Sequence, residues 1–133
     1  MKLNKTVIIS LSIILLLSIL LLTKKQVVQQ QSIHLFVKVA PYVGISVDKD
    51  KIHFGAVPKG GVSRKMIFLY NNDTYGKLVT AKISGNIKPW IVLSDYKFKL
   101  SPGENKTLNI TLSVPKNAGY GNYTGILNLY FSK

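Results

Sequence analysis

Apolar residues follow two different rhythms along this chain. From Thr6 to Thr23 they are nearly continuous: "TVIISLSIILLLSILLLT" holds no charge, no Pro and no Gly. Its only polar groups are hydroxyls, which in a helix can bond back to the carbonyl one turn earlier. A helix over this stretch rises roughly 27 Å, close to the ~30 Å hydrocarbon thickness of a bilayer. The pattern predicts a transmembrane signal anchor over 6–23, a short cytoplasmic N-terminus over 1–5 and a polar stalk over 24–32. Lys2 and Lys5 flank the apolar run on one side and Lys24 and Lys25 on the other, so positive charge does not set the orientation. A cleaved signal peptide needs small residues after the apolar core, and Leu22, Thr23, Lys24 and Lys25 offer none, so an uncleaved anchor is expected.

Beyond the stalk the period changes to two, the signature of strands with one buried face. In "KTLNITLSV" Leu108, Ile110, Leu112 and Val114 share one face and Thr107, Asn109, Thr111 and Ser113 the other. "YKFKL" places Tyr96, Phe98 and Leu100 inward, "VTAKI" places Val79, Ala81 and Ile83 inward, and "GILNLYF" does so with Leu127, Leu129 and Phe131. Val43, Ile45 and Val47 make a further expected inward set, as do Met66, Phe68 and Tyr70. Turn clusters such as "PKGG", "NNDTYG", "SPGEN" and "PKNAGYGN" separate the runs. Pro41 interrupts the first run and belongs at an edge or where a strand changes sheets, and Gly55 is expected to end a strand. The sum is an all-β antiparallel sandwich of about seven strands over 33–133, preceded by the one helix.

Several stretches together carry a resemblance. "IHFGAVPKGG", "IFLYNN", the isolated Trp90 in "KPWIVLS", "FKLSPGENKTLNITLSVP" and "AGYGNYTGILNLYF" resemble the immunoglobulin-like domains of the Hydin and major-sperm-protein type. They are also similar to small β-sandwich modules of archaeal and bacterial surface proteins. The resemblance covers about Val43 to Phe131. It implies an immunoglobulin-like fold and leaves activity open, because the same sandwich serves adhesion, assembly and spacing. Trp90 is expected as a plug between the sheets.

Charge changes the picture only in part. Seventeen lysines and a single arginine oppose five acids, a formal net charge of +13. Nucleic-acid readers lean on arginine for bidentate contacts, so no nucleic-acid partner is expected. A lysine-rich face containing Lys82, Lys88, Lys97 and Lys99 is the candidate site for an anionic ligand, either acidic glycans or lipid head groups. The chain has no cysteine, which excludes disulfides and thiolate chemistry.

Catalytic motifs are missing. His34 and His53 stand far apart beside apolar residues, Asp48 and Asp50 lack the glycine and closing acid of a calcium loop, and no nucleophile or phosphate-loop signature occurs. Neither an enzyme nor a cofactor is expected. Asn-x-Thr, in contrast, recurs at Asn4, Asn72, Asn105, Asn109 and Asn122, so five of the seven threonines follow an asparagine by two places. Chance placement would give about half of one such match. Asn4 falls on the cytoplasmic side of the expected anchor. The other four are candidate N-glycosylation acceptors, which would put the β domain outside the cell. The expected protein is a single-pass, glycosylated cell-membrane protein of archaeal character, displaying a structural or interaction domain to other envelope or surface-assembly proteins. The alternatives are the anion-binding module and a cytoplasm-facing sandwich with unmodified asparagines.

Overall fold

The alternating runs pair into two sheets that close on a shared core. The computed structural model describes residues 4–22, 27–43 and 51–133. These form a helix, α1 (Lys5–Leu22), and the strands β1 (Val27–Val39), β2 (Ile52–Val57), β3 (Val62–Tyr70), β4 (Lys77–Gly85), β5 (Ile91–Leu93), β6 (Lys97–Leu100), β7 (Asn105–Ser113) and β8 (Gly121–Ser132). One sheet has five strands in the order β2-β1-β8-β4-β6, and the other has three in the order β3-β7-β5. The expected antiparallel sandwich of about seven strands is corrected in two respects. Eight strands are present among the described residues, and β1 pairs with β2 in parallel.

Period two fills the space between the sheets. Leu35, Val79, Ile87, Leu108, Ile110, Leu112, Leu127 and Leu129 are wholly buried, and each such side chain contributes about 1.5–3 kcal/mol relative to exposure. Three other inward sets differ from expectation. On β3 the phase is reversed: Ile67 and Leu69 face the core, while Met66, Phe68 and Tyr70 are exposed, Phe68 by 77%. Tyr96 is exposed although Phe98 and Leu100 are buried. Val43 is also exposed, following the bend at Pro41 and Tyr42. Ile45, Val47, Asp48 and Asp50 lie outside the described residues, as do Lys2, Lys24 and Lys25.

Two glycines shape the five-stranded sheet. Gly55 does not end a strand; at φ 78° it sits inside β2, where the register shifts from Phe36↔His53 to Lys38↔Ala56 and one extra residue forms a bulge. Gly85, at φ 96°, pairs with Gly125 so closely that a Cβ on it would lie 2.6 Å from the Gly125 Cα. The stalk expectation also changes, because β1 begins at Val27 and runs through Gln29–Gln31 into the apolar half of the strand. Polar side chains on both faces hide this strand from a periodicity reading, yet its backbone groups complete the ladder of β8.

In α1 the described side chains from Val7 to Ile19 are exposed, and Ser10, Ser12 and Ser18 donate to the carbonyls of Val7, Ile9 and Leu15 at 2.8–2.9 Å. Its 18 residues rise about 27 Å, short of a ~30 Å hydrocarbon core. No helix among the described residues is long and apolar enough to cross a membrane.

Candidate binding surface

The two outer faces of the sandwich carry different chemistry. On the five-stranded sheet, Lys82 extends from β4, and Lys97 and Lys99 extend from β6, all exposed. The register sets Lys97 against Thr80, Lys99 against Leu78 and Lys82 against Asn128 of β8. Three of the four expected lysines therefore share one face. Lys88 is separate, in the 3-10 turn Lys88–Trp90 that leads from β4 to β5 and so from one sheet to the other. Sequence reasoning missed Lys77 and Lys133, which join Lys99 around an open cleft of about 300 Å³ at the β4–β6 edge. Only the folded register brings these three residues together.

Two of the three lysines at the cleft are engaged by neighbours outside it. Lys77 bonds Asp73 at 2.5 Å, and this contact, reinforced by the charge of Lys133, holds the Asp73 carboxyl below the usual carboxylate range. Lys133 lies 4.3 Å from the ring centroid of Tyr75, a cation–π distance. The supporting turn is pinned by Asn71, whose side chain is wholly buried. Its amide donates to the carbonyls of Tyr75 at 2.8 Å and Leu100 at 3.0 Å, and its oxygen accepts from the Asp73 N–H at 3.1 Å. Glu104 accepts from the Ser101 N–H at 2.6 Å, closing the neighbouring "SPGE" turn. What the cleft can do chemically is offer Lys99 and Lys133 to an anionic group, with Lys77 already paired to Asp73.

The same face carries an aromatic ladder away from the lysines. Phe36 stacks on His53 with centroids 4.9 Å apart and on His34 at 6.3 Å, with Lys51 5.5 Å from the Phe36 ring. The histidines thus pack on an aromatic ring. No group of three or more His, Cys, Asp or Glu gathers among the described residues.

The outer face of the three-stranded sheet is almost free of charge. Met66, Phe68 and Tyr70 stand opposite Asn109, Thr107 and Asn105, with Val62 and Arg64 opposite Ser113 and Thr111. Asn105 and Asn109 are exposed, and their threonines lie two residues on along β7, on the same face. Asn109 is fixed through its backbone, accepting from the Ser94 N–H at 3.0 Å and donating to the Ser94 hydroxyl at 3.1 Å. Asn72 is exposed in the turn after β3, and Asn122 is exposed near the start of β8.

Trp90 lies at the rim of the core. It is partly buried, packed against the hydrophobic cluster and tilted over Tyr123 at 4.5 Å, whose hydroxyl donates to the Gly119 carbonyl at 3.0 Å. No protein-family model, no curated protein and no solved structure matches this chain, so its functional reading rests on its own residues.

Proposed function

We propose that this chain is a membrane-attached display module: α1 inserts into the bilayer and holds an immunoglobulin-like sandwich outside the cell, where it acts as a structural or interaction partner in a surface assembly. One observation carries the reading. A helix whose described side chains from Thr6 to Ile19 are uncharged and exposed stands immediately before the first strand, with only residues 23–26 between. Leaving so much apolar surface in water costs roughly 25 cal/mol per Å², and a hydrocarbon phase removes that cost. The helix is a few ångströms short of the average core, a shortfall that local thinning of the bilayer accommodates. The exposed Asn-x-Thr sites support an outward orientation, and the neutral face that carries Asn105 and Asn109 leaves room for glycans.

The test uses intact cells and membranes of the native host. Expected are retention in the membrane pellet after carbonate washing, digestion of the sandwich by externally added protease, and intact mass raised by glycan-sized steps. Release by carbonate, or full protection from protease in intact cells, overturns the reading.

The cleft formed by Lys77, Lys99 and Lys133 favours a second reading, in which the sandwich binds an anionic head group or acidic glycan on its basic face. Both can hold in one molecule, because the basic face and the Asn105–Asn109 face lie on different sheets.

A further inference from the structure

The rim of the sandwich where β1 begins is also the rim that carries its basic cleft. The pairs Val27↔Ser132, Leu78↔Ser132 and Leu78↔Lys99 run as one row across β1, β8, β4 and β6. Neighbouring strands lie about 4.8 Å apart, so Lys99 stands roughly 14 Å along that row from the backbone of Val27. Lys77 and Lys133 are each one residue beyond the row, at the start of β4 and after the end of β8. The cleft that these three lysines line therefore opens at the rim from which the chain runs back to α1.

Chain length limits how far that rim can stand from a membrane. Leu22 ends α1 and Val27, five residues on, begins β1; in any conformation five residues span at most ~18 Å. With the end of α1 at the hydrocarbon boundary, a head-group layer of about 5–7 Å takes up part of this distance and leaves a gap of roughly 12 Å or less. That is close to the ~8–10 Å Debye length, so the rim lies within the field of an anionic surface. A free acidic polysaccharide would have to enter the same gap from the side. The acids at the rim are committed, Asp73 to Lys77 and Glu104 to the Ser101 N–H. Lys99 is exposed with no acid partner among the described residues, and Lys133 has only the neutral ring of Tyr75 beside its ammonium.

We infer that Lys99 and Lys133 take the phosphate of an anionic lipid in the leaflet beneath the domain, so that the sandwich stands with this rim down on the head groups. The anchor supplies the local concentration that makes two lysines sufficient. Lys97 and Lys82 lie farther up the same face, opposite Thr80 and Asn128, so their contact should weaken in that order. Asn72 is in the turn at this rim but does not line the cleft, which leaves its glycan site beside the contact. This deepens the anionic reading and rests on insertion of α1; the test reads insertion and docking separately.

The chain has no cysteine, so one fluorophore can be placed at either end of the sandwich. Thr74→Cys lies in the turn after β3 at the rim and Asn117→Cys between β7 and β8 at the opposite end, both exposed. Full-length labelled chains are reconstituted in phosphatidylcholine vesicles with or without phosphatidylglycerol, and quenched by a lipid carrying a nitroxide on its head group. Flotation with the neutral vesicles reads insertion. Expected are flotation in both lipids and quenching at position 74 that rises with phosphatidylglycerol and falls at high salt, while position 117 stays unquenched. In Lys99→Gln/Lys133→Gln the ratio of docked to undocked chains should fall about 30-fold with flotation unchanged. The same loss of charge at the opposite end, Lys59→Gln/Lys116→Gln, should leave that ratio as it is. Quenching at 74 that ignores phosphatidylglycerol or the rim variant, or that responds equally to both double variants, overturns the proposal in chains that still float and leaves the display reading standing. Chains that do not float overturn both. Hyaluronate held through Lys99 and Lys133, with no response to phosphatidylglycerol, assigns the cleft to acidic glycans and likewise overturns it.

Discussion

Asn71 shows how one residue can hold a turn. It is wholly buried yet polar, and its three side-chain bonds join the turn after β3 to the end of β6. Asn71→Ala leaves the Tyr75 and Leu100 carbonyls and the Asp73 N–H without this partner, and a loss of about 2–4 kcal/mol in urea unfolding is expected. Two residues on, Asp73 has a depressed folded-state pKa, with Lys77 as the main cause. A depressed carboxylate contributes stability that is present above its unfolded pKa and is lost as pH falls through the folded one. Thermal melts should therefore show a decrease below about pH 4 that is smaller in Asp73→Asn. Identical acid limbs for the two proteins would remove this role. Nothing in the sequence singled out Asn71, because an asparagine pair before an aspartate reads as an ordinary solvated turn.

At the scale of the element, a period of two marks a strand without deciding which of its faces is buried. The run of β7 is legible because its alternate residues Thr107, Asn109, Thr111 and Ser113 are polar, whereas in β8 only Asn128 marks the outer face, between Ile126 and Tyr130. In β3 both parities are apolar: Met66, Phe68 and Tyr70 on one side, Ile67 and Leu69 on the other. Aromatic bulk then points to the wrong side, since burial of a strand face is decided by the opposing sheet. The corrected phase makes a direct prediction. Phe68→Ser should change stability by less than about 0.5 kcal/mol, whereas Leu69→Ala should cost about 2–4 kcal/mol. The reverse order in chemical denaturation would restore the original reading. β1 was half legible for a related reason: Gln29, Gln30 and Gln31 provide no alternation, and only the length of β8 reveals that they must be paired.

At the scale of the molecule, the charge of +13 becomes a surface with sides. Lys82, Lys97 and Lys99 stand on the five-stranded sheet, while the three-stranded sheet presents Val62, Met66, Phe68, Tyr70 and neutral Asn and Thr, with Arg64 as the basic residue of the β3 stripe. The sequence showed the lysine excess, but it could not show that Lys77, Lys99 and Lys133 converge or that Lys88 stands apart. If the basic face meets anionic lipid, each lysine near the surface contributes on the order of 1 kcal/mol. Replacing Lys82, Lys97 and Lys99 with Gln should lower the preference for phosphatidylserine over neutral phosphatidylcholine vesicles about 100-fold, and raised salt should lower that preference in the parent protein similarly; insertion of α1 is common to both vesicles and cancels in the ratio. A ratio unchanged by either would dismiss the anionic reading and leave the display module intact.

The close approach of Gly85 and Gly125 has a consequence for this whole arrangement. Hydrophobic alternation looks the same after a strand slides by two residues, so it cannot by itself distinguish the correct alignment of β8 from one shifted by a step. Sliding β8 by two would bring Tyr123 or Leu127 opposite Gly85, into the place of Gly125, where even a lone Cβ meets the Ser84 carbonyl oxygen at 2.7 Å and Ile87 Cγ1 at 2.8 Å. The glycine pair thus works as an alignment key: it rejects misaligned β8 on steric grounds, and because β1 reads its own alignment from β8, one empty spot between two backbones sets the pairing of three strands.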